Sequence, residues 1–149
     1  GTNSLLAIMF VILLKIGFIY SIINQGFMWM VIFMPIIGRL GMVRLTYKTV
    51  SPRAKGMGNM FIGKATLGMF ITAITYTIVI VALISRVIFY SPIMLIIKIL
   101  MSIIVVLIFN QVFKQHIYNK IDGVTGDILG CSVELGEGIY LIYIYLIIG

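Results

Sequence analysis

A chain of 149 residues that is 62% hydrophobic and 10% charged cannot bury its apolar surface in one water-soluble core. Small domains leave much of their surface wet, and soluble ones carry about 25% charged residues. The mean hydropathy of +1.20 points to lipid as the solvent, and the net charge of +7 must then sit where the chain meets water. A spanning helix needs about 20 mostly apolar residues. The first candidate covers residues 4–23 and carries one charge, Lys15; Asn24, Gln25 and Gly26 follow as a turn signal. The second starts near Phe27, is purely apolar to Ile37, and continues as an interfacial helix through Tyr47, with a kink expected at Pro35. The third covers residues 65–84, and a short turn occupies residues 86–92. The fourth covers residues 93–109 and carries Lys98. The fifth starts near Gly138, with only about 11 residues, which is below span length. The expected fold is all-α: a polytopic transmembrane helical bundle of about five membrane helices, with residues 1–149 as one membrane domain.

Charge placement orients the spans. Arg39, Arg44, Lys48, Arg53, Lys55 and Lys64, six of the eleven basic residues, lie between spans two and three with no acid among them. The positive-inside rule assigns that loop to the cytoplasm. Two crossings later the polar stretch 110–137, with Lys114, His116 and Lys120, is expected on the same side. The opposite turns hold one basic residue, Arg86. All four acids, Asp122, Asp127, Glu134 and Glu137, lie within residues 122–137. If residues 127–137 are helical, Glu134 stands about 20° and Glu137 about 80° from Asp127, with Gly130 on the same arc. Three carboxylates on one face repel one another unless a cation joins them, and Mg²⁺ often takes one or two carboxylates plus substrate phosphates. Thr125 and Gly126, just before Asp127, would leave free N–H groups for an anion. A solvated loop is the alternative reading of the same stretch.

The basic loop also has two readings. It is either a topology signal touching anionic headgroups or a phosphate clamp, for which Arg is better suited than Lys. Arg53, Lys55, Gly56 and Gly58 combine cations with backbone freedom next to Pro52, but the Walker pattern is absent. Lys15 and Lys98 lie inside apolar runs and read as snorkelling or structural, because neither has an intramembrane acid to pair with. The lone His116 and lone Cys131 support neither a catalytic triad nor a Cys/His metal cluster, and one cysteine excludes an internal disulfide. The ten methionines read as apolar filling.

Residues 120–137 resemble the C-terminal signature of the cobalamin synthase family, the adenosylcobinamide-GDP ribazoletransferases. The family pattern runs Gly-Gly-x-Thr-Gly-Asp-x-Leu-Gly-Ala-x-x-Glu-x-x-Glu; here Asp122 replaces the first Gly and Cys131 the Ala. Gly38-Arg39-x-x-Met42-Val43 is similar to a second family element. Ala54-Lys55-Gly56-Met57-Gly58 is similar to a third, with Lys for Arg and shorter spacing. Gly1-Thr2 resembles the end of an Asp-Ser-x-x-Gly-Thr segment. The resemblance implies a Mg²⁺-dependent, multi-pass enzyme of the bacterial inner membrane. It joins adenosylcobinamide-GDP to α-ribazole or its 5′-phosphate with release of GMP, late in cobalamin biosynthesis.

On that reading Asp127, Glu134 and Glu137 are the candidate catalytic and metal-ligating residues. Arg39, Arg44, Arg53, Lys55, Gly56, Gly58, Thr125 and Gly126 are the candidate phosphate-binding residues. The lipid bilayer and the two substrates are the expected partners, with a homo-oligomer open and no nucleic acid. Family members are longer at the N-terminus, where an aspartate-rich stretch resembles the principal metal site. This chain, opening on Gly1, is therefore expected to be the C-terminal part of the enzyme and inactive alone. The competing readings are a membrane phosphotransferase of the CDP-alcohol type, whose Asp-Gly-x-x-Ala-Arg signature is absent, and an inactive truncated remnant. A transporter is a further one; it predicts acids at mid-membrane, whereas the acids here are expected at a membrane face.

Overall fold

The computed structural model describes residues 2–49, 60, 62–121, 123 and 126–148. Helix α1, Thr2–Asn24, is a run of Leu, Ile, Met and Phe with no internal breaker but Gly17. It stops where Gly26 takes a positive φ of 86°. The Gly26 N–H then donates to the Ile23 carbonyl at 3.0 Å and the Phe27 N–H to the Ile22 carbonyl at 3.2 Å, the paired bonds that close a helix through a left-handed residue. A 3₁₀ segment, Met28–Phe33, leads into α2, Met34–Thr46. Pro35 lies in the first turn of α2. Its missing N–H is one that the helix start leaves unbonded anyway, so Pro35 opens this helix rather than kinking it.

Helix α3, Leu67–Leu83, begins at Thr66, whose hydroxyl accepts the Met69 N–H at 3.2 Å. It ends in a π-turn, Ile84–Ile88. Helix α4 is Ile93–Ile121 and α5 is Gly126–Ile148. Among the described residues all five helical segments, the second counting its 3₁₀ entry, are long and apolar enough to cross a membrane, and the chain is a multi-pass membrane protein.

The last two helices depart from the sequence expectation. Residues 110–121 extend α4, and residues 126–137 are the first half of α5 rather than a loop. Gln, Lys and Glu are good helix formers, so polarity alone does not end a helix. Asn110 stays in the helix by donating from Nδ2 to the Val106 carbonyl at 2.9 Å. At 1.5 Å per residue α4 is about 43 Å long, longer than a hydrocarbon core of about 30 Å, so its polar last turns have room beyond the lipid.

Successive helices alternate in direction. Trp29 stacks on Phe89 with ring centroids 4.9 Å apart, which joins the α1–α2 and α3–α4 connections at one end of the bundle. The α2–α3 and α4–α5 connections share the other end, as their charge predicts. There Tyr47 pairs with Ala65 and stacks on Phe70, with Lys48, Lys64 and Lys120 nearby in sequence. The core is built mainly from the 3₁₀ segment, α2, α4 and α5, where Phe33, Ile37, Leu40, Ile99, Ile103, Val106, Tyr140 and Ile144 are buried, with Ile22 of α1 and Val81 of α3 joining them. Tyr140 completes it by donating its hydroxyl to the Met30 carbonyl at 2.6 Å. Helix α1 packs chiefly on α5 and exposes Leu5, Phe10, Leu13 and Ile16. In a bilayer such a surface costs nothing, because lipid tails are as apolar as Leu.

Candidate active site

Glu134 and Glu137 are three residues apart on α5 and so share a face. That face meets Gly38 of α2. A Cβ at Gly38 would lie 2.5 Å from Glu137 Cγ and 3.2 Å from the Val133 carbonyl oxygen, and one at Gly136 would lie 3.6 Å from Gly38 Cα. Small residues on both helices therefore allow a close crossing, and the space a side chain would fill at Gly38 holds the stem of Glu137. The carboxylate beyond it is charged, and α1 supplies the counter-charge. Lys15 Nζ lies 2.6 Å from Glu137 Oε2 and 2.7 Å from Glu134 Oε2. The side chains of Glu137 and Lys15 are 9% and 13% exposed, while that of Glu134 is 51% exposed. Glu137 and Lys15 form the inner part of the site and Glu134 its rim.

This arrangement corrects one sequence-based expectation: Lys15 does have acids to pair with. The pairing follows from the early start of α5, which carries Glu134 and Glu137 on a helix packed against α1. Between an enzyme and a transporter the decision falls to family. The signal that reveals the cluster is a lysine within an apolar run together with a Glu-x-x-Glu pair at one-turn spacing.

Asp127 shares the arc of α5 that the spacing implied but at another height. It is exposed in the first turn, about 10 Å along the axis from Glu134, where a carboxylate favours the positive helix end. Gly126 opens the same helix. Among the described residues no three of His, Cys, Asp and Glu are grouped to hold a metal ion. The donor set fits Mg²⁺ as a two-carboxylate site: Glu134 and Glu137 converge on a single cation, and the remaining positions suit water and phosphate.

Of the candidate phosphate-binding residues, Arg39 and Arg44 have different neighbours. Arg39 is exposed beside Gly38, and its Nη1 donates to the Pro35 carbonyl of its own helix at 3.3 Å. Arg44 donates from Nη2 to Gln111 Oε1 on α4, and its guanidinium lies 6.0 Å from the Tyr47 ring centroid. Among the described residues its buried Nη1 has no hydrogen-bond partner, nor has Asn110 Oδ1 in the same α2–α4 seam. Arg53, Lys55, Gly56, Gly58 and Thr125 lie outside the described residues.

The family model described as cobalamin-5-phosphate synthase matches residues 1–145. A curated adenosylcobinamide-GDP ribazoletransferase of Clostridioides difficile (strain 630) is 66% identical over 148 residues, covering 99% of this chain and 58% of that protein. Another of that name, from Alkaliphilus metalliredigens (strain QYMF), is 37% identical over 149 residues, covering 100% of this chain and 55% of its own length. The chain thus spans a little over half the length of these relatives. No solved structure matches it. With the match running through Gly38, Glu134 and Glu137 alike, this chain belongs to the cobalamin-5-phosphate synthase family.

Proposed function

We propose that the complete protein built around these five helices is an adenosylcobinamide-GDP ribazoletransferase of the bacterial inner membrane, with its two polar connections in the cytoplasm. The observation that carries this is the 66% identity, over 99% of the chain, to a protein of that name. A ribose hydroxyl of α-ribazole, or of its 5′-phosphate, attacks the phosphorus next to the cobinamide. The new P–O bond forms as the bond to GMP breaks; GMP leaves and the hydroxyl proton goes to solvent or a base.

Both substrates are polar and the transferred group is anionic, so the chain's tasks are to bind charge and to exclude water. Glu134 and Glu137 are the residues to hold Mg²⁺. A bound Mg²⁺ would neutralise diphosphate oxygens and so stabilise the charge that develops on the leaving nucleotide. Arg39, beside the α2–α5 crossing, is the exposed guanidinium suited to a phosphate of the guanosine diphosphate. Asp127 and the N–H groups at the start of α5 form the water-facing approach.

The test is release of GMP from adenosylcobinamide-GDP, with α-ribazole present, by the purified complete protein in detergent or lipid. The expected result is turnover that needs Mg²⁺ and stops with a chelator, and none from the 149-residue chain alone. Turnover by the complete protein in chelator would remove the metal role, and turnover by the chain alone would show that the rest of the protein is dispensable.

A further inference from the structure

Lys15 is the feature that neither the family comparison nor the reaction accounts for. Its ammonium crosses from α1 to touch one oxygen of each glutamate, Glu134 Oε2 at 2.7 Å and Glu137 Oε2 at 2.6 Å. An ammonium at hydrogen-bond distance from both oxygens occupies the point between them. Mg²⁺ needs its oxygens at about 2.0–2.1 Å, so the two cations cannot share that point. The charges agree with this. Two carboxylates and one ammonium leave a net single negative charge, whereas a divalent ion alone neutralises the pair; ion and ammonium together would leave an excess positive charge in a part-buried site. The lysine has the means to withdraw, since its four-carbon stem is flexible and Glu134 at the rim is half exposed.

We infer that Lys15 is a tethered counter-cation of the Glu134–Glu137 pair, held at the point where these carboxylates meet a divalent ion, and that it withdraws when the ion binds. The inference rests on the metal role proposed above. Lys15 keeps the two glutamates gathered and compensated while the site is empty, and it raises the Mg²⁺ concentration needed to fill it. It is a positioning residue and touches no reacting atom.

The complete protein is compared as wild type, Lys15→Met, Lys15→Arg and Glu137→Gln, with MgCl₂ as the probe. Lys15→Met should lower the Mg²⁺ concentration for half-maximal turnover by at least roughly tenfold, because opposing cations a few ångströms apart interact strongly at protein-like dielectric. Without Mg²⁺ its melting temperature should fall below that of wild type, and millimolar Mg²⁺ should restore it. Lys15→Arg, which keeps the charge, should retain the wild-type Mg²⁺ requirement. Should Lys15→Met fail to fold, the wild type still decides: acylation of Lys15 by a membrane-permeant amine reagent, read by peptide mass, should rise as Mg²⁺ is added.

An unchanged Mg²⁺ requirement in Lys15→Met, or Lys15 acylation indifferent to Mg²⁺, would overturn the inference. If Glu137→Gln abolishes turnover while either of those results is obtained, only the role of Lys15 is lost. If Glu137→Gln turns over normally with the wild-type Mg²⁺ requirement, the proposed metal seat itself is wrong.

Discussion

At Gly38, α2 meets Glu137 of α5; one turn further on, at Gly41, it meets Asn110 of α4. In both seams a missing side chain on α2 makes room for a polar one on its neighbour. The two differ in how the polarity is then satisfied. Asn110 is neutral. Its amide bonds to a carbonyl of its own helix, and its Oδ1 and the nearby Arg44 Nη1 are buried without partners among the described residues, a condition that costs about 1–3 kcal/mol per group. Glu137 is charged and cannot be left so, because breaking a buried ion pair costs about 3–5 kcal/mol. A third helix therefore reaches in with Lys15. The seam at Asn110 closes between two helices with some polar capacity left over; the seam at Glu137 also draws in α1, whose Phe18 and Ile22 pack into the core as well.

The charged seam should be the more sensitive. The largest expected effect is from Glu137→Gln in the complete protein: GMP release should fall by about 100-fold or more if the carboxylate stabilises transition-state charge, while membrane insertion is kept. Asp127→Asn at the entrance should lower turnover by less than Glu137→Gln does, without loss of insertion; a wild-type rate would exclude it from the chemistry. Next is Gly38→Ala, whose Cβ would overlap Glu137 Cγ and crowd the Val133 carbonyl. Overpacking of that kind costs about 1–3 kcal/mol, seen as a lower midpoint in thermal or SDS unfolding.

At Gly41 the three atoms nearest an added Cβ all belong to the side chain of Asn110, so Gly41→Ala should be correctable. The double variant Gly41→Ala with Asn110→Ala should recover about 1 kcal/mol or more of the loss, a coupling that contacting residues show and distant ones do not. If the two losses simply add, the close approach at Gly41 is absent. The smallest effect should come from Arg39→Ala. Its side chain is exposed and bonds only weakly to its own helix, so stability should stay within about 0.5 kcal/mol. The concentration of adenosylcobinamide-GDP for half-maximal rate should rise several-fold, and an unchanged value would deny Arg39 a phosphate.

The five helices were legible because a span of apolar residues leaves few alternatives in lipid, and the charge asymmetry gave the shared end of the two polar connections. The α4–α5 boundary was not legible. Asn110, Gln111, Lys114 and His116 look like a loop beside the apolar run 93–109, yet they continue a helix that outruns the bilayer. A loop over residues 110–137 would leave Lys15 without Glu134 and Glu137 as partners, whereas the helix carries both to it. Helical spacing did put the carboxylates on one arc, and Glu134 and Glu137 do converge. It could not show that Asp127 is too far along the axis to join them, because an angular projection discards height. Nor could it show Gly38 beneath Glu137, since that contact depends on which helices are neighbours.

Everything distinctive about this site requires α1 and α5 to meet through Lys15 and Glu134. The most direct measurement is cross-linking in native membranes of the complete protein carrying Lys15→Cys and Glu134→Cys, with Cys131 and any cysteine elsewhere in it replaced by Ser, using a short bismaleimide. The account requires an intramolecular cross-link in high yield, absent from either single-cysteine protein. No cross-link, where both single-cysteine proteins react normally with maleimide, would contradict it.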